Sequence, residues 1–334
     1  MIQVGLIGYG YWGPNLARNI HAHEQLNLHT IAEKQENKHD QIRLLYPHVT
    51  LVQDAYSLLS DDSIDVVVIA TSVHQHLAFA RKALENNKHV LIEKPAGTSF
   101  DELKELETLA HQKKKVLMVD YTFLYNGAVR KLKELIQADT FGKLNYIDGM
   151  RINLGIFQAD VNVIWDLASH DIAIVNYLVG KTPISVKANG VSHTSNGIEN
   201  IAYLLLAYED EELIVHLNCS WSSPVKIRKM LCGGDKQMII YDDVEPTDKI
   251  KVYECNLSHF INREEVLIDY RTGDISIPKF NTKEALSVLM NDLYLAISND
   301  KSPLSSIQVA LNVTKVLEAA QRSIKNRGTE AKVK

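Results

Sequence analysis

Ile2-Gln-Val-Gly-Leu-Ile-Gly8-Tyr-Gly10-Tyr-Trp-Gly13-Pro14 opens the chain with a short apolar run that passes straight into three glycines spaced as G-x-G-x-x-G. The spacing alone is common, and its surroundings decide the reading. The apolar run reads as a strand, and Pro14 suits the first turn of a helix, where a missing N–H has no intrahelical partner to lose. In that strand, turn and helix setting, Gly8 permits the tight turn, Gly10 lets a pyrophosphate approach the backbone, and Gly13 lets helix and strand pack closely. The helix N-terminus then offers free N–H groups and partial positive charge to the phosphates. The stretch predicts a dinucleotide site in a βαβ unit.

The residues that follow extend this pattern. Leu28 to Ala32, Val66 to Ala70, Val90 to Ile92 and Val116 to Val119 read as further strands, separated by helical periodicity such as His76 to Asn86 and Asp101 to Gln112. Such alternation means a parallel sheet, and the continuously apolar Val66-Val-Val-Ile-Ala70 is what a strand covered by helices on both faces requires. Glu33 ends the second strand, placed to accept hydrogen bonds from an adenosine ribose and to repel a 2′-phosphate, which favours NAD over NADP. Lys34, Lys38 and Arg43 follow it and leave NADP open. Thr71-Ser72 at the end of the third long strand places small hydroxyl residues where a cofactor crosses the sheet edge, and Ser72 equally suits a helix N-cap. His74 and His76 are two apart and do not share a helix face, so no metal site is expected.

At 334 residues the chain has room for two domains, and near Tyr121 its grammar changes. Helical stretches at Ala128 to Gln137 and Trp165 to Leu178 precede strand-like segments at Ile184 to Val191, Ile201 to Tyr208, Leu213 to Cys219, Lys226 to Cys232 and Met238 to Tyr241. The polar turns Glu209-Asp-Glu-Glu212 and Gly233-Gly-Asp-Lys236 between them suit antiparallel hairpins. Two helices, around Lys283 to Ser298 and Ser305 to Ser323, close the chain before a basic tail expected to be a solvated end.

Apolar residues at 46% and charged residues at 23% are ordinary globular usage, which excludes disordered, collagen-like and coiled-coil chains. Lys plus Arg number 36 against 41 Asp plus Glu, with no basic run to follow a phosphodiester backbone, so nucleic acid is not an expected partner. Cys219, Cys232 and Cys255 form neither a disulfide framework nor a zinc knuckle, which suits a reducing compartment. No apolar run is long enough to cross a bilayer and no basic leader precedes Ile2, so a cytoplasmic protein without a membrane partner is expected.

Two further strings carry chemistry. Glu93-Lys94-Pro95 ends a strand at the sheet edge, where proline turns Lys94 away from helical geometry and lets its ammonium project over a cleft. A cation there favours an alkoxide-like transition state, although a surface charge is the commoner fate of lysine. In Trp165-Asp-Leu-Ala-Ser-His-Asp171, Asp166 and His170 are one helical turn apart on one face, while Asp171 points about 100° away. A carboxylate beside an imidazole orients it and sustains its basicity, a general-base arrangement; an amphipathic helix with a capping Asp is the plain alternative.

The glycine loop, Glu93-Lys94-Pro95 and the Asp-x-x-x-His at 166 to 170 together resemble the Gfo/Idh/MocA oxidoreductases over essentially the whole chain. The resemblance implies an α/β fold with an N-terminal Rossmann domain, doubly wound and parallel, over residues 1–120. Residues 121–334 would form a substrate-binding and oligomerisation α/β domain with a large open, mainly antiparallel sheet. It implies Lys94, Asp166 and His170 as catalytic residues, and homo-oligomers, dimer or tetramer, through the outer sheet face. Gly8, Gly10, Tyr11, Trp12, Gly13, Glu33, Thr71, Ser72, His76, Glu93 and Lys94 make up the expected cofactor site.

Thr122-Phe-Leu-Tyr-Asn126 with Val129-Arg-Lys131, Asp160-Val-Asn-Val163 and the Trp-Asp-Leu string look like the branch acting on nucleotide sugars, similar to enzymes oxidising carbon 3 of UDP-N-acetylglucosamine or its uronic acid. Asp120-Tyr121 departs from the usual Gly-His, and Ser72 from the usual Pro. Lys94, Tyr121, Arg151, Asn153, Asn162, Asp166 and His170 are the expected substrate contacts, with Lys226 and Arg228 as further cations for a diphosphate. The same site would also serve a keto-sugar reductase, an NAD-assisted glycosidase, or, without catalysis, a dinucleotide-binding regulator.

Overall fold

The computed structural model describes residues 1–155, 157–158, 161–210, 212–255 and 272–334. Asp160, Glu211 and the side chain of Cys255 lie outside that set. The chain forms two compact units, Met1–Tyr125 with Lys283–Thr314, and Asn126–Thr282 with Lys315–Lys334.

The first unit runs β1 (Ile2–Ile7), α1 (Gly13–His21), β2 (Leu26–Ala32), α2 (His39–Leu45), β3 (Thr50–Val52), α3 (Ala55–Leu59), β4 (Val66–Ile69), α4 (Val73–Glu85), β5 (His89–Glu93), α5 (Phe100–Lys113) and β6 (Leu117–Asp120). The strands form one six-stranded sheet in the order β3-β2-β1-β4-β5-β6, every neighbouring pair parallel. The order reverses between β1 and β4, which makes the carboxyl edge there the natural crevice for a dinucleotide. All four residues of β4 are buried, as its unbroken Val/Ile run requires. The expected doubly wound parallel sheet is therefore observed.

The second unit begins with α6 (Gly127–Ile136), the long strand β7 (Leu144–Leu154) and α7 (Ser169–Val179). It continues through β8 (Ser185–Val191), β9 (Ile201–Ala207), β10 (Ile214–Ser220), β11 (Ser222–Gly234), β12 (Gln237–Asp242), β13 (Ile250–Cys255) and β14 (Thr272–Ser276). After α8 (Ala285–Asn299) and α9 (Ile307–Lys325), the short β15 (Ala331–Lys332) ends the chain. Its nine-stranded sheet has the order β14-β13-β12-β11-β7-β10-β9-β8-β15 and is antiparallel except at β7–β10. Along β9 buried residues alternate with exposed ones, the mark of a sheet covered on one face only.

Two departures from the sequence reading have physical causes. The basic tail is not a free end: β15 pairs antiparallel with β8, and Arg322 donates to the carbonyl of Lys332 at 2.9 Å. The chain also returns to the first unit after residue 282, so that unit is not confined to residues 1–120. There α8 packs on α1, with the guanidinium of Arg18 forked onto both oxygens of Glu284 at 2.9 and 2.6 Å.

At the start of β5, Nδ1 of His89 accepts the N–H of Val116 at 3.0 Å, a bond that needs the neutral ring. Burial, reinforced by Lys115, pushes this histidine down from 6.5 to about 4. The unfolded chain then binds the proton more readily than the folded one, so stability is full above about pH 6.5 and is lost as pH falls toward about 4. Urea midpoints across that range should fall with pH in the wild type and fall less steeply in His89→Gln; parallel curves would contradict the assignment.

Candidate functional site

At the end of β1, Gly8 has φ +94°, and a Cβ on it would lie 2.5 Å from the carbonyl oxygen of Ala70. A Cβ on Gly13 would lie 2.4 Å from the carbonyl oxygen of Gly8, whereas one on Gly10 would meet no atom within 4 Å. The three glycines thus differ in their surroundings: Gly8 sits in the turn, Gly13 packs against the Gly8 carbonyl, and Gly10 faces open space. Trp12 is the N-cap of α1 and Pro14 sits in its first turn. Tyr11, 88% exposed, projects from the same loop.

Glu33 lies at the end of β2, but its carboxylate already works inside the protein. It accepts the N–H of Tyr9 at 2.6 Å and that of Gln35 at 2.7 Å, with Lys38 Nζ 3.9 Å away. The glycine loop is therefore tied to β2 by this acid. Lys34 and Arg43 are exposed, and Arg43 pairs with Asp40.

Further along the edge, Thr71 is half-buried and Ser72 exposed at the N-cap of α4, where its side chain makes no capping bond. His74 is exposed and His76 buried, so the two diverge, and no cluster of three metal-ligating side chains occurs among the described residues. His76 is 1% exposed, with Nδ1 2.9 Å from the carbonyl oxygen of Pro95 and Nε2 3.0 Å from that of Thr71. It links the end of β4 to the turn that carries Lys94. Glu93 bends back to accept the N–H of Lys94 at 2.6 Å, and both side chains are half-buried.

Glu93 pairs in register with Asp120, the last residue of β6. The Asp120 carboxylate is 1% exposed and accepts the indole N–H of Trp12 at 3.0 Å and the hydroxyl of Thr122. Burial raises this carboxyl above the usual range, while the two hydrogen bonds and the Lys94 charge oppose the shift. Tyr121 is 2% exposed, and burial, then Glu93, drives its phenol further from ionisation.

In the second unit, a single π-helical turn at Ile164–Ala168 leads into α7. From Asn162 to Val175 every residue is buried except Asp166 and His170, which are half-exposed. The sequence pair thus forms the one opening on an otherwise covered helical segment. Its carboxylate is anchored by a residue that sequence reasoning missed: Trp221, at the β10–β11 corner, donates its indole N–H to Asp166 Oδ2 at 2.9 Å. The available signal was the polar tip that a buried tryptophan must satisfy.

Asp171 does point elsewhere, into the protein. Arg151 on β7 grips it through Nε at 2.9 and 3.0 Å and through a terminal nitrogen at 2.6 Å, and the two residues are 3% and 5% exposed. Arg151 is accordingly a structural cation joining β7 to α7 and not a phosphate ligand. Asn162 is also spent internally, bonding Glu199 at 2.9 Å and capping the N–H of Trp165 at 3.3 Å. Asn153 is half-buried on β7, Lys226 is exposed, and Arg228 pairs with Asp243. The thiols of Cys219 and Cys232 are buried, which raises both and keeps them unreactive.

Residues 2–121 match the model of an oxidoreductase family with an NAD-binding Rossmann fold, and residues 129–240 match the Gfo/Idh/MocA C-terminal domain. The chain belongs to the Gfo/Idh/MocA oxidoreductases, and a nicotinamide dinucleotide is the cofactor of that family's first domain. It is 28% identical over 230 residues to the uncharacterized oxidoreductase YdgJ of Escherichia coli, a match covering 64% of this chain and 64% of YdgJ. It is 24% identical to the scyllo-inositol 2-dehydrogenase (NADP(+)) IolW of Bacillus subtilis, covering 98% of this chain and 95% of IolW. Among solved structures, the UDP-N-acetylglucosamine 3-dehydrogenase GnnA of Acidithiobacillus ferrooxidans superposes with a TM-score of 0.82 at 19% identity, covering 98% and 99% of the two chains. That likeness is one of fold. Among the described residues, no helix is long and apolar enough to cross a membrane.

Removing one partner of the Arg151–Asp171 pair leaves a buried charge uncompensated, a loss of about 3–5 kcal/mol. Arg151→Ala should show that loss in urea denaturation, whereas Arg151→Met with Asp171→Leu should recover most of it. Wild-type stability for Arg151→Ala would return the guanidinium to the list of available substrate contacts.

Proposed function

We propose that this oxidoreductase is an NAD-dependent dehydrogenase of a sugar hydroxyl, with a nucleotide sugar as substrate and carbon 3 of a UDP-N-acetylhexosamine or its uronic acid as the site of oxidation. The observation that carries the reading is the half-exposed Asp166 and His170 on a helix otherwise buried from Asn162 to Val175, with Asp166 held by Trp221. The strings around Thr122 and Trp165, together with a fold shared with GnnA, support the nucleotide-sugar branch.

The glycine loop fits the cofactor: the open space at Gly10 admits a pyrophosphate, and Glu33 places an acid at the ribose, favouring NAD. Gly8, Gly10, Gly13 and Tyr11 would hold the phosphates, with Trp12, Thr71, Ser72 and Glu93 further along the same edge. Bound NAD supplies the acceptor for the hydride that leaves the sugar carbon. His170 takes the proton of the hydroxyl, Asp166 orients its ring, and Lys94 stabilises the oxygen as negative charge develops on it. Asn153, Lys226 and the exposed face of the Asp166 pair remain as substrate contacts once Arg151 and Asn162 are set aside. Each subunit acts within a homo-oligomer in the cytoplasm.

His170→Ala should lower kcat by about 10²- to 10⁴-fold with the dissociation constant for NAD unchanged. The assay is NADH formation from UDP-N-acetylglucosamine and its uronic acid, with an aminotransferase drawing off the ketone. A wild-type rate in the variant removes His170 from the mechanism, and no NADH from either sugar by a protein that binds NAD rejects the substrate.

A further inference from the structure

Asp120 is a charged residue in a place where charge is costly. It ends β6 almost wholly buried, and its two oxygens are taken by Trp12 and Thr122. A buried carboxylate that accepts two side-chain donors is held by them and in turn holds them. Thr122 is two residues away, so that bond is local; Trp12 is 108 residues away, in the glycine loop.

The sheet order puts β4 and β5 between β1 and β6. At roughly 4.8 Å per strand, the loop after β1 and the end of β6 are separated by about 14 Å of sheet edge. An indole that starts from the glycine loop and hydrogen-bonds the end of β6 therefore extends across the carboxyl ends of β4 and β5. A dinucleotide with its adenosine ribose at Glu33, beyond β1 on the other side, must bring its nicotinamide half over those same strand ends. The indole offers that ring a flat aromatic surface.

We propose that Asp120 is a positioning residue for the cofactor: by accepting the indole N–H it fixes the plane of Trp12, and Trp12 is the platform for the nicotinamide ring. This rests on the dinucleotide reading of the first unit and not on the identity of the sugar. The half-buried Trp12 is held at its polar tip, so the orientation of the ring is set from β6. The interaction is specific to the nicotinamide end, because Gly8, Gly10, Gly13 and Glu33 serve the rest of the dinucleotide without it.

The test compares NADH with ADP-ribose, which lacks the nicotinamide, by equilibrium binding to the full chain. Trp12→Phe keeps a ring and loses the N–H; Asp120→Ala loses the acceptor; Asp120→Asn keeps an amide oxygen for Trp12 and an amide nitrogen that Thr122 can accept. Trp12→Phe and Asp120→Ala should each weaken NADH about 10- to 100-fold, the worth of one hydrogen bond to a charged group, with ADP-ribose unchanged. The double variant should be no weaker than either single one, and Asp120→Asn should bind NADH within about twofold of wild type. If Asp120→Ala does not fold, Trp12→Phe and Asp120→Asn still decide the matter. Unchanged NADH affinity in Trp12→Phe, additive losses in the double variant, or a parallel loss of ADP-ribose would overturn the proposal alone. A wild type that binds neither ligand would overturn the dinucleotide reading with it.

Discussion

Gly13 lies so close to the carbonyl oxygen of Gly8 that no side chain fits between them, and Gly8 in turn sits against the carbonyl of Ala70 at the end of β4. These two approaches set the distance between β1, α1 and β4, and with it the crevice at the reversal of strand order. Everything assigned to the cofactor depends on that spacing. With it, the N-terminus of α1 faces open space at Gly10; with a larger residue at either flanking glycine, the helix would be pushed off the sheet and the anion-binding edge would be lost.

Around that crevice, polar groups buried between secondary elements do the aligning. Glu33 ties the glycine loop to β2, His76 ties the end of β4 to the Lys94 turn, and Asp120 ties Trp12 to β6. The second unit uses the same device, as in Arg151–Asp171 and Trp221–Asp166. Each bond is made inside the protein, where an unmet partner is costly, so these contacts fix the elements that carry the partly exposed side chains. That is why Asp166 and His170 stand out on α7 and the π turn before it.

The parallel sheet was legible because its strands are unbroken apolar runs and its helices carry a clean period, and the glycine motif identified its edge. Strand β7, central to the second sheet, escaped notice. Its inward positions are Ile147, Gly149 and Arg151, a row in which glycine makes room for Leu217 and arginine is neutralised by an acid twenty residues away. No local pattern announces a buried arginine whose partner lies on another element. The same blindness explains the sites: the spacing of Asp166 and His170 was visible, but the distant partners that gave Arg151 and Asn162 structural work were not. Asp120 was visible only as an odd residue, and Trp221 not at all, since both take their meaning from contacts across the fold. The tail read as solvated because a two-residue edge strand has no periodicity to detect.

The central claim is that the Gly8–Gly13 edge binds a nicotinamide dinucleotide through space left open at Gly10. Gly10→Ala probes it directly, because the added Cβ meets no protein atom within 4 Å yet stands in the space a pyrophosphate needs. The account predicts a variant with the wild-type melting temperature and no measurable NADH binding by calorimetry. A variant that melts as the wild type and binds NADH with wild-type affinity would contradict it.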